Sequence, residues 1–122
     1  MSRTKNVQPA LSASLALYET EIRLYGEVLA LSRQQGDLLR SGASLAEIRC
    51  LLESKRARLD EISRLEQENA SSSASCEAQR HALRGATAAA LHQALREVGN
   101  LIEQILELEE ANDRLLFAKT GA

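Results

Sequence analysis

The residues of this 122-residue chain whose types can do chemistry are few and scattered. His81 and His92 are too far apart to ligate one metal from a single helical turn, and neither stands in an HExxH-like frame. Cys50 and Cys76 lack CxxC spacing, which leaves no zinc site or disulfide framework to expect. Cys50 sits in an apolar helical stretch and reads as a small buried residue. Glu107, Glu109, Glu110 and Asp113 gather four carboxylates, but carboxylate catalysis needs an enclosing pocket that shifts their pKa values. On a helical rod such a run is a solvated face. The basic stretch "SKRAR", Ser54 to Arg58, is flanked by Glu53, Asp60 and Glu61 and has no interleaved aromatic for base stacking. No Gly-rich phosphate loop or nucleophile elbow occurs. These patterns predict neither an enzyme nor a cofactor, metal or nucleic-acid protein.

The elements that would position any site are helices. Apolar residues make up 44% of the chain but aromatics only 2%, with a single proline, Pro9. That composition favours long helices of Leu, Ala and Ile over a turn-rich sheet protein or an aromatic-lined pocket. The formal charge of −2 provides no field that would attract nucleic acid. "MSRTKNVQP" is not followed by a signal-peptide apolar stretch, and no window approaches the ~20 apolar residues of a membrane span. A soluble cytoplasmic protein is expected.

Spacing divides the chain into an all-α, elongated antiparallel bundle of three long helices with a short extra helical segment. Helix 1 is predicted over about 11–40, starting near Pro9. It carries one stripe of Leu11, Leu15, Tyr18, Ile22, Tyr25 and Leu29, and a second of Leu17, Leu24, Leu31 and Leu38. Two stripes side by side suit a helix that touches two neighbours. "RSGAS" is a break: Gly42 ends one helix, and Ser44 with Glu47 forms a capping box for the next. So short a turn makes antiparallel neighbours. Helix 2 is predicted over about 45–69, with a face of Leu45, Ile48, Leu52, Lys55, Leu59, Ile62 and Leu65. Lys55 holds a seam position, where it either snorkels out or meets an acid from another helix. The Ser-rich linker 70–75 follows, then a short helix over about 76–84 and a last helix over about 88–118, capped by Thr87. Gly99 in that helix either allows a close crossing or loosens the rod.

The last helix carries Leu101, Ile105, Leu108, Asn112 and Leu115 at alternating spacings of four and three, with Leu116 beside them. Asn112 stands where the pattern asks for another leucine. Either its amide is buried to set register, or that end of the face meets a partner. We take Leu101, Ile105, Leu108, Asn112, Leu115 and Leu116 as a partner-binding surface, because a thin bundle leaves apolar surface open and open apolar surface marks partners.

Taken in order, these segments resemble the FlgN-type family of flagellar type III export chaperones. The resemblance rests on "LYETEIRLYGEVLALSRQQGDLL", the Gly-containing turn and "LAEIRCLLESKRARLDEISRLE", and then on "LEEANDRLL" with Asn112, Arg114, Leu115 and Leu116. It covers about three-quarters of the chain. It implies a cytoplasmic chaperone that binds the C-terminal amphipathic segments of hook–filament junction proteins, prevents their premature assembly and delivers them to the export gate and its ATPase. The family often has a longer tail where this chain has "FAKTGA", so no tail function is carried over. The alternatives are a related chaperone for the filament cap protein and a self-associating coiled-coil protein, in which a homodimer covers the apolar face.

Overall fold

The computed structural model describes residues 2–68 and 85–120. It contains three helices, α1 (Ser2–Ser41), α2 (Leu45–Glu68) and α3 (Ala86–Thr120), and no strand among the described residues. The all-α bundle follows. α1 and α3 begin earlier than their spacing predicts. Pro9 lies inside α1: a proline cannot donate to the carbonyl four residues back, yet its fixed φ is helical and the helix continues through it. The Ser-rich linker, the short helix over 76–84, Cys76 and His81 lie outside the described residues.

The turn after α1 forms as its chemistry requires. Gly42 takes φ +77°, and the Ala43 amide donates to the Leu38 carbonyl at 3.0 Å, closing the C-terminus. The Glu47 amide then donates to Ser44 Oγ at 3.2 Å, so Ser44 caps α2. At the other break Gly85 adopts φ +132° and its carbonyl accepts the first bond of α3, from Ala89. Thr87 is therefore within the first turn of α3 and not at its cap.

Contacts fix the directions. Lys55 meets Gln35, Arg58 meets Glu27 and Tyr25 meets Glu66, so α2 runs antiparallel to α1. Ser32 meets Glu109 and Asn112, while Leu24 and Val28 share a cluster with Ile105, so α3 runs parallel to α1. α1 packs extensively on both neighbours, whereas α2 and α3 scarcely approach each other. At 40 residues α1 is about 60 Å long and forms the spine.

The core differs from the expected faces in a regular way. On α1 the most buried line is Ser14, Glu21, Val28 and Gln35, which lies between the two leucine-bearing stripes. The stripes are the flanks of the buried face; three of its four central residues are polar and escape an apolar pattern. On α2 the buried residues are Ile48, Leu51, Lys55 and Ile62. The face is thus rotated from the expected one, and Leu45, Leu52 and Leu59 are exposed. Cys50, expected inside, is exposed at the edge of α2 that borders a groove with α1. The reason is that α2 packs mainly on α1 and meets α3 chiefly around Lys55, so only one flank of its apolar arc is covered.

Gly36, and not Gly99, marks the close approach. A Cβ on Gly36 would lie 2.9 Å from Asn112 Oδ1, whereas one on Gly99 would meet nothing within 4 Å. Replacing Gly99 by Ala should therefore add about 0.5–1 kcal/mol of stability from helix propensity alone. Gly36→Ala should lose that gain by displacing Asn112. Chemical denaturation of the two variants against wild type checks the contrast: equal stabilisation of both would mean that α1 and α3 do not approach at Gly36.

Candidate partner-binding surface

The last helix enters the bundle through polar chemistry. The Lys55 ammonium lies in the seam, donating to Gln35 Oε1 at 2.8 Å and to the Glu109 carboxylate. Glu109 Oε1 also accepts from Ser32 Oγ at 2.8 Å. The Asn112 amide donates to the Ser32 carbonyl at 2.9 Å, and Asn112 is 1% exposed. One connected network thus ties all three helices together. Lys55 takes the second of the two courses open to a seam lysine, meeting an acid from the last helix. Glu109 departs from the expected solvated acidic face because Lys55 draws it inward, whereas Glu107, Glu110 and Asp113 stay exposed or nearly so along the outer side.

The six residues taken as a partner surface are therefore divided. Ile105 and Asn112 are buried against α1 and offer nothing to a partner of the closed bundle. For Asn112 the register-setting reading fits its surroundings: its amide is matched to one carbonyl and its Oδ1 to the gap left by Gly36. Leu101, Leu108, Leu115 and Leu116 are half-buried. Three of them, Leu101, Leu108 and Leu115, stand seven residues apart and form a partly covered stripe along one flank of α3. A second apolar feature is one that spacing alone does not predict. It is a shallow groove of about 690 Å³ between α1 and α2, lined by Leu31, Leu38, Cys50, Leu51 and Ser54 among others. Its α1 wall is visible in the Leu31–Leu38 stripe, but its α2 wall depends on the rotation of that helix.

Ion pairs absorb part of the basic stretch. Lys55 is buried in the network, and Arg58 Nε donates to Glu27 Oε1 at 3.1 Å in a half-exposed pair of the kind worth about 0.2–1 kcal/mol. No group of His, Cys, Asp or Glu among the described residues is arranged to hold a metal ion, and none of the described helices is long and apolar enough to cross a membrane.

Nearer the far end of α2, Glu21 of α1 is 2% exposed beside Glu66. Burial, and then the charge and hydrogen bond of Glu66, push the Glu21 carboxyl up to about 7. Tyr25 donates to Glu66 Oε1 at 3.4 Å, and burial and then the carboxylates push its phenol up to about 12. Among the described residues Glu21 Oε1 has no hydrogen-bond partner. A small pocket of about 200 Å³, lined by Leu17, Tyr18, Glu21 and Glu66, adjoins it. A proton held on Glu21 is what makes its carboxyl tolerable beside Glu66 in so tight a space.

No protein-family model, no curated protein and no solved structure matches this chain. The arrangement of its own residues is what bears on function.

Two outcomes follow from the buried polar groups. Between about pH 4.5 and pH 7 folded Glu21 holds a proton that the unfolded chain has released, so its contribution to stability falls as pH rises through that window. Glu21→Gln should flatten the fall, and thermal melts from about pH 5 to pH 8 would show it. An unchanged slope would mean that Glu21 does not titrate there. Lys55→Met strands Glu109 beside Ser32 and Gln35 and should cost about 1–3 kcal/mol by denaturant unfolding. Adding Glu109→Leu to it should recover most of the loss.

Proposed function

We propose that this protein is a helical export chaperone of the flagellar type III system, acting in the cytoplasm. It binds C-terminal amphipathic segments of hook–filament junction proteins, keeps them from assembling early and hands them to the export gate and its ATPase. The observation that carries the reading is the half-buried stripe of Leu101, Leu108 and Leu115, continued by Leu116, on a bundle too thin to cover it. An amphipathic client helix fits such a flank by placing its own apolar residues at i, i+3, i+4 and i+7 between α1 and α3. The sequence resemblance supplies the client class, and the fold is compatible with it. Masking an aggregation-prone face requires apolar contact and no bond-making, so the reading assigns no catalytic residue, cofactor or nucleic acid. A chaperone for the filament cap protein would use the same flank, and the client arms of the test separate the two.

The test combines binding and stability on one variant. Leu115→Ala with Leu116→Ala trims the half-buried end of the stripe, so the free protein should stay folded with a modestly lowered melting temperature. Its affinity for junction-protein C-terminal fragments should fall at least tenfold, equal to about 1.4 kcal/mol. Calorimetry with junction-protein and cap-protein fragments reads the effect. Wild type that binds neither fragment, or a folded variant with unchanged affinity, overturns the assignment.

A further inference from the structure

An open apolar face lies on the side of the bundle away from α1. Leu45, Leu52 and Leu59 stand seven residues apart on α2 and are 56%, 37% and 42% exposed, and Leu106 of α3 is 62% exposed. The Lys55–Glu109 contact places these leucines on one face. Residues three before and four after a given helical position turn to the same side of it. Leu52 and Leu59 stand so to Lys55, and Leu106 and Asp113 stand so to Glu109. Because α2 and α3 run antiparallel, both sets turn to the same side of the bundle. The outer edges follow the same rule. One residue after and six before the contact stand Arg56 and Arg49 on α2, and Glu110 and Glu103 on α3, all four exposed. The face has an apolar centre with Asp113 on its α3 side, and a basic edge of Arg49 and Arg56 along α2. Its edge along α3 carries Glu103 and Glu110, where Glu110 also pairs with Arg114 within its own helix.

Such a face is complementary to itself. A two-fold axis parallel to the helices lays α2 of one copy over α3 of the other and keeps each residue at its height. Arg56 of each copy then comes level with Glu110 of the other, and Arg49 with Asp113, while the leucines meet between them. An axis across the helices would instead set arginine against arginine. We propose that this face binds a second copy of the chain in a two-fold dimer built on Leu45, Leu52, Leu59 and Leu106. The charged edges choose the parallel-axis arrangement over its rival, since like charges in juxtaposition disfavour a wrong partner. The proposal does not depend on client binding. Leu101, Leu108 and Leu115 turn to the opposite side of Glu109, so a client and a second copy use different flanks.

Sedimentation of the full chain tests it. Wild type should sediment at twice the 13.3 kDa chain mass. One variant carries Arg49→Glu and Arg56→Glu, the other Glu110→Arg and Asp113→Arg. Each alone should be monomeric, because every edge contact becomes like-charged. An equal mixture should restore a dimer with one copy of each, because both contacts are then complementary. All four positions are exposed on helices, and circular dichroism should show unchanged helicity. Leu52→Glu offers an independent route to the monomer through the apolar centre. A monomeric wild type, a dimer indifferent to both charge reversals, or folded variants that fail to pair when mixed would each overturn the proposal.

Discussion

A buried ammonium sets the terms of this fold. Lys55 is 5% exposed at the point where α2 faces the rest of the bundle, and it must find acceptors there. Gln35 supplies one from α1, and Glu109 supplies a charge from α3. Only one register satisfies both at once, because a shift of one residue on any helix turns its side chain through roughly 100°. Ser32 and Asn112 extend the same constraint by linking α1 and α3 a turn further on. Apolar contacts hold the helices together, but leucines slide past leucines at little cost. The polar network makes one alignment differ from its neighbours.

That division of labour suits a thin molecule. α1 is the spine, and the other two helices lie on it and meet each other only sparingly, around Lys55 and Glu109. Each covers one flank of its apolar arc and leaves the other open. Leu45, Leu52 and Leu59 face away from α1 on one side, and Leu101, Leu108 and Leu115 are half-covered on another. A compact domain of this length would place these leucines in a single core. Here they remain as surfaces, and large open apolar surface is the property expected of a chain that works by contact with other chains.

The Glu21–Glu66 pair answers the same problem of polar groups inside a narrow bundle. Two acids and the Tyr25 hydroxyl share a site that burial makes unfavourable for charge, so the native state favours a bound proton. Lys55 and Glu109 solve the corresponding problem by pairing opposite charges. One end of the bundle is thereby sensitive to pH near neutrality, and the other is governed by an ion pair.

What the sequence alone determined was local. Composition and spacing lead to long helices, the Gly42–Ser44 turn and its cap, and the alternation that makes α2 antiparallel to α1, because these depend on neighbours within a few residues. The position of Lys55 in a leucine seam was legible too, but the choice between snorkelling out and meeting an acid fell to Glu109 of α3. The tertiary structure decided which part of each apolar arc is inside. Ser14, Glu21 and Gln35 occupy the centre of α1 although a hydrophobic pattern passes them over, since the helices that cover them lie far away in the chain. It decided that Asn112 faces Ser32 across a gap left by Gly36, that three leucines of α2 face outward, and that Cys50 is exposed beside the groove with α1. Periodicity fixes the width of an apolar face, but only the positions of the other helices fix which edge of it they cover.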